Sequence, residues 1–177
     1  MDSMSKIKNT SRKLRFCCLG IMIATPIVIA LAWINLNHYP ALIRELPIKP
    51  MAELPATALL LGFGIDMISA SIIMYAVYKL YKLFGLYGEG RIFNNQVVNC
   101  YRMLGRVIII AVPLGILEET LMVLMITFFT YPPGQRLLSI GLSNDSFMLL
   151  FIGVSLLTAS WVMDEARKLK EDQELII

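Results

Sequence analysis

Val107–Thr130, VIIIAVPLGILEETLMVLMITFFT, is the longest apolar run in the chain and carries two adjacent carboxylates at its middle, Glu118 and Glu119. At about 1.5 Å rise per residue, some 20 apolar residues cover the roughly 30 Å hydrocarbon core of a bilayer, so this run is long enough to cross one. A central carboxylate costs on the order of 3 kcal/mol, and each Leu, Ile, Val or Phe returns roughly 0.3–0.6 kcal/mol. With fourteen such residues in the run, the sum is near zero. The helix is therefore expected to hold its acids protonated, partnered by other helices or turned to water, which makes them candidate functional residues.

The rest of the chain fits the same setting. Of 177 residues, 57% are hydrophobic, and the mean hydropathy is +0.68. That leaves too little polar surface for an ordinary soluble domain and indicates a polytopic membrane protein forming a single bundle. Cys17, Cys18 and Cys100 have no metal-ligand spacing, and His38 stands alone, so His-based metal sites and His-dependent triads are excluded and no cofactor is expected. His38 reads as an exposed loop residue.

Before the central run lies a second span, Thr57–Tyr78, in which Gly62, Asp66, Ser69 and Ala70 fall at helical spacing on one face. Small and polar side chains on one stripe are expected to point inward. Asp66 has two readings, a polar contact between helices or part of a proton or ion site with Glu118 and Glu119. Between the spans, Lys79–Arg106 is a basic connection in which Gly85, Gly88 and Gly90 mark a turn. Asn94 or Asn95 can cap the helix that follows, with Phe93 stapled to Val98 if Asn94 is the cap. From Asn95 that helix is expected to lie at the interface and enter the membrane at Arg106. Pro113 predicts a kink about one turn before the acids, which sit about 100° apart and diverge.

At the N-terminus, Lys6, Lys8, Arg12, Lys13 and Arg15 precede an apolar first span, Phe16–Ile34, with Pro26 inside and Trp33 placed for the aromatic belt. Ala30-Leu31-Ala32 also matches a signal-peptidase site, a second reading weighed down by the length of the run. Asn35–Ala56, with four prolines, is a loop. After the central run, Tyr131-Pro132-Pro133-Gly134 ends the span, and Phe147–Met163 forms a fourth, where Ser155, Thr158 and Ala159 make a small stripe for close packing. Asp164–Ile177 reads as a helical tail with Asp164–Lys168, Arg167–Glu171 and Lys170–Glu174 as i,i+4 pairs. The predicted fold is all-α, with four transmembrane helices, an interfacial helix before the third and a cytoplasmic C-terminal helix.

Thirteen Lys and Arg lie in the N-terminal segment, 79–106 and the tail, against three in the other two connections. By the positive-inside rule both termini and the 79–106 loop are cytoplasmic. The loop and tail then converge on one face, with Arg91, Phe93, Arg102, Leu169, Leu175, Ile176 and Ile177 as candidate partner-binding residues.

Two stretches resemble the bacterial domain-of-unknown-function family 2975, small four-span membrane proteins. One runs from Tyr78-Lys79-Leu80-Tyr81-Lys82-Leu83-Phe84 through Gly90-Arg91-Ile92-Phe93 and Asn94 to Leu104-Gly105; the other is Glu165–Ile177. Ile176 stands where members commonly have Thr. The resemblance implies a bacterial cytoplasmic membrane and, because members are often encoded beside a small helix-turn-helix regulator, a partner of that kind. It brings no catalytic residues. The Glu-Glu motif of CAAX-type intramembrane proteases is not matched, since Val123 stands where its Arg belongs and the later histidines are missing.

The leading expectation is a non-enzymatic membrane protein whose cytoplasmic loop and tail bind a partner, with no direct nucleic-acid contact, since no reader motif interleaves the basic residues with aromatics. The alternatives are an ion- or proton-coupled transporter or channel subunit working through Asp66, Glu118 and Glu119, and an accessory subunit of a larger complex or a homo-oligomer.

Overall fold

Each apolar run lies inside a helix considerably longer than itself. The computed structural model describes residues 3–39, 42, 46–91, 94–139 and 144–174. Four helices, α1 (Ser3–Asn35), α2 (Ala56–Gly88), α3 (Asn95–Thr130) and α4 (Asn144–Glu174), make an all-α chain with no strand among the described residues. They contain 31 to 36 residues, or about 46–54 Å at 1.5 Å per residue. All four are long and apolar enough to cross a membrane. Only 11% to 17% of the most apolar window of each is buried by protein, so most of that surface needs lipid to cover it.

The basic connection is mostly helix. Lys79–Gly88, read as part of a loop, belongs instead to α2, which continues to Gly88, while α3 begins at Asn95 where a helix was expected. Gly85 and Gly88 are helical, and Gly90 alone makes the stop. Its φ of 79° places it in the left-handed region, its N–H donates to Tyr87 O at 3.0 Å, and the Arg91 N–H donates to Leu86 O at 3.0 Å. Those paired bonds are a Schellman C-cap, which needs an L side chain to be absent at that position. Asn94 is the N-cap of α3, accepting the Gln96 N–H on Oδ1 at 3.1 Å and the Val97 N–H on its carbonyl at 2.9 Å. The stapling residue Phe93 lies outside the described residues.

No break separates an interfacial helix from the third span, because nothing between Asn95 and Arg106 interrupts the hydrogen-bond ladder. Pro26 and Pro113 are accommodated within α1 and α3. The tail likewise continues α4 without a break after Met163.

Packing divides the chain into two units. The first comprises Met1–Met22, Met74–Ile110 and Asn144–Ile177, and its core is Leu83, Val97, Cys100 and Leu104. Here α3 and α4 approach at two glycines. A Cβ on Gly105 would lie 2.8 Å from the Gly153 carbonyl oxygen, and one on Gly153 would lie 3.2 Å from that of Gly105. Close packing of α4 therefore uses Gly153 and the fully buried Ser160 rather than the predicted stripe. Ser155 and Thr158 are exposed and return their hydroxyls to Phe151 O and Val154 O of their own helix, which satisfies them without a neighbour.

The second unit comprises Ile23–Ile73 and Ala111–Ser143, with Trp33, Leu36, Leu54, Ala58, Met122, Met125 and Ile126 as its core. Its connection between α1 and α2 is clamped by Asn37, whose side chain donates to Leu54 O at 2.9 Å and accepts the Leu54 N–H at 3.3 Å. The amide thus pairs with the backbone as another peptide would, and seats Leu54 in the core.

Candidate functional site

In α2, the stripe read from the sequence does face inward. Gly62 and Ala70 are buried, and Asp66 and Ser69 are partly buried. Trp33 of α1 lies across it: a Cβ on Gly62 would overlap the indole ring, and Trp33 Nε1 donates to Asp66 Oδ2 at 2.6 Å. Trp33, placed by the sequence for the aromatic belt, is packed against protein, with only 6% of the residue exposed. A buried indole N–H needs an acceptor and a partly buried carboxylate gains from a donor; each serves the other.

Glu118 of α3 is half-buried and lines the same cavity as Asp66. Glu119 is exposed. Although the two diverge around the helix, both line one cavity of about 380 Å³ with Asp66 and Trp33. Apolar walls come from Leu36 and Met122, and the connection after α1 contributes Leu42, Leu46 and Pro47. Three carboxylates thus meet one apolar space, with the Trp33 indole N–H as a neutral donor to Asp66. Among the described residues no cationic side chain lines it. Among the described residues, no three of His, Cys, Asp or Glu come together as a metal set. Facing carboxylates in partly desolvated surroundings repel unless a proton or a cation lies between them.

Hydropathy and helical spacing located the three acids but missed Trp33. The available signal was Gly62, one turn before Asp66, since a glycine there leaves room for a large ring. Nothing local shows which ring fills it.

The family model described as Protein of unknown function (DUF2975) matches residues 4–177. The chain belongs to that family. No curated protein and no solved structure matches it.

In this DUF2975 chain the described candidate partner-binding residues, Arg91, Arg102 and Leu169, lie within the first unit. Arg91 pairs with Glu89 at 3.3 Å in the turn after α2. Arg102 reaches Asp164 of α4 at 3.7 Å, and Asp164 also pairs with Arg167 at 3.1 Å, which in turn pairs with Glu171 at 2.7 Å. The expected Arg167–Glu171 pair is formed, whereas Asp164 turns to Arg167 and Arg102, and Lys168 pairs with Glu165 at 3.4 Å. Arg102 thus ties α3 to α4, while Leu169 stays 59% exposed. Phe93, Leu175, Ile176 and Ile177 lie outside the described residues.

Proposed function

We propose that this DUF2975 protein is a non-enzymatic protein of the bacterial cytoplasmic membrane, with both termini cytoplasmic, that holds a soluble partner on the projecting ends of its helices. The observation that supports this reading most is helix length. At about 46–54 Å, the helices exceed the roughly 30 Å hydrocarbon core by about 20 Å. Thirteen of the sixteen Lys and Arg lie in the N-terminal segment, 79–106 and the tail, and the positive-inside rule assigns those segments to the cytosol. There, residues 95–106 of α3 and the part of α4 after Met163 would form a helical platform, with exposed Leu169 offering it an apolar contact. The family resemblance favours a small helix-turn-helix regulator as partner, and DNA would be reached only through that regulator.

Co-expression with such a regulator from the same genome, followed by affinity purification in mild detergent, tests the reading. Full-length protein should retain the regulator, and deletion of Leu169–Ile177 should release it while leaving the protein membrane-inserted. Equal recovery with and without the deletion would refute it.

A second reading rests on the acidic cavity: Asp66, Glu118 and Glu119 respond to protons or carry ions, as in a small transporter or channel subunit. Glu118→Gln with Glu119→Gln should then abolish a proton-dependent flux in reconstituted vesicles, and unchanged flux would remove it.

A further inference from the structure

The first unit holds a groove of about 470 Å³ whose three cations neither reading uses. Arg15 of α1 and Lys79 and Lys82 of α2 line it, with Tyr81 beside Arg15 and Gln96 and Asn99 of α3 adding neutral donors. Its one acid, Glu89, is engaged by Arg91 at 3.3 Å. Among the described residues none of the three cations makes an ion pair. Tyrosines hold them instead. Arg15 lies 4.4 Å over the Tyr81 ring and donates from Nη2 to a Tyr81 hydroxyl oxygen at 2.7 Å. Lys79 Nζ lies 4.9 Å from the Tyr75 ring, and Lys82 Nζ lies 5.4 Å from the Tyr78 ring. A tyrosine face orients a cation without neutralising it, so the groove keeps a net positive charge with an anion's place among its donors.

Depth identifies the anion's source. Arg15 immediately precedes the apolar run that starts at Phe16, and Lys79 immediately follows the one that ends at Tyr78. Two independent boundaries between apolar and polar sequence thus meet at one groove, the level at which lipid phosphates lie and at which basic pockets between membrane helices take anionic head groups. Phe16, the residue after Arg15, is 69% exposed and Leu19, one turn on, 38%, which leaves apolar surface for acyl chains.

We propose that the groove formed by Arg15, Lys79, Lys82, Tyr81, Gln96 and Asn99 binds the phosphate head group of an anionic phospholipid. Native mass spectrometry of the full chain, released from detergent with phosphatidylglycerol, cardiolipin or phosphatidylcholine added, tests it. Phosphatidylglycerol and cardiolipin adducts should exceed those of phosphatidylcholine. Arg15→Gln, Lys79→Gln and Lys82→Gln combined should weaken them roughly tenfold or more, as expected for three basic groups near a lipid phosphate. Lys6→Gln, Lys8→Gln and Arg12→Gln combined, an equal change in charge outside the groove, should leave them intact, and Lys79→Arg with Lys82→Arg should keep the preference. The proposal is overturned by equal binding of phosphatidylcholine, by equal loss in both triple variants, or by full binding in the groove variant. Displacement of the lipid by millimolar inorganic phosphate would instead make this a site for free phosphate. Deleting Leu169–Ile177 should not change the lipid preference, so this proposal and the partner reading fail separately.

Discussion

Helices α1 and α2 are tied in both units by a contact between a charged and an aromatic side chain, but with the roles exchanged. In the second unit α1 supplies the aromatic, Trp33, which donates to Asp66 of α2. In the first unit α1 supplies the charge, Arg15, which donates to Tyr81 of α2. The first of these ties is part-buried and the second is exposed. An acid inside apolar walls needs a donor for its own solvation, whereas a guanidinium near water needs only orientation. The buried tie should therefore carry stability, and the exposed one should carry binding.

Trp33→Ala breaks the buried tie and should have the largest effect, a loss of about 3–5 kcal/mol from the emptied ring volume with Asp66 left short of a donor. Thermal unfolding in detergent checks it. A wild-type midpoint would place the weight of the second unit elsewhere. Gly62→Ala should come next at about 1–3 kcal/mol, because the added methyl overlaps the indole and either displaces it or spreads the helices. Rescue by combining Gly62→Ala with Trp33→Phe would sharpen the assignment to that contact.

Tyr81→Phe keeps the ring under Arg15 and removes the hydroxyl acceptor. Stability should fall by no more than about 1 kcal/mol, and anionic lipid retention should drop more visibly than the melting midpoint. A change in stability as large as that of Gly62→Ala would undo the contrast between the two ties. The smallest effect is expected for Arg102→Gln: its pair with Asp164 spans 3.7 Å and is partly exposed, so it is worth at most about 1 kcal/mol and should weaken further as salt screens it. Urea midpoints compared at low and high salt would show this.

Much of the fold was legible because burying a helix in lipid demands an unbroken apolar run, and such runs are visible without knowledge of neighbours. Asp66 and its small-residue stripe were legible for the same local reason, since spacing of three and four residues places side chains on one face. The helix between Lys79 and Gly88 was misread because basic residues and glycines suggested a loop, whereas the helix from Asn95 was legible. Gly85 and Gly88 remain helical, because the neighbouring residues supply all the backbone bonds and only Gly90 needs a positive φ. The fourth helix was misread in a similar way. Serine and threonine looked like packing groups, but their hydroxyls can satisfy themselves on their own backbone, and the close approach went to Gly153, where a backbone could come nearest.

By itself the sequence determined four spanning segments, the acids within them, a helix cap at Asn94 or Asn95 and the uneven distribution of basic charge, all of which follow from residue order along one helix or loop. Only the tertiary structure decided that Trp33 satisfies Asp66, that Glu118 and Glu119 open on one cavity, that Gly105 meets Gly153, and that Arg15 joins Lys79 and Lys82. These are pairings between residues distant in the chain. Helical periodicity shows which face a side chain occupies, while shape, close approach and the need of each buried polar group for a partner select what it meets across the gap.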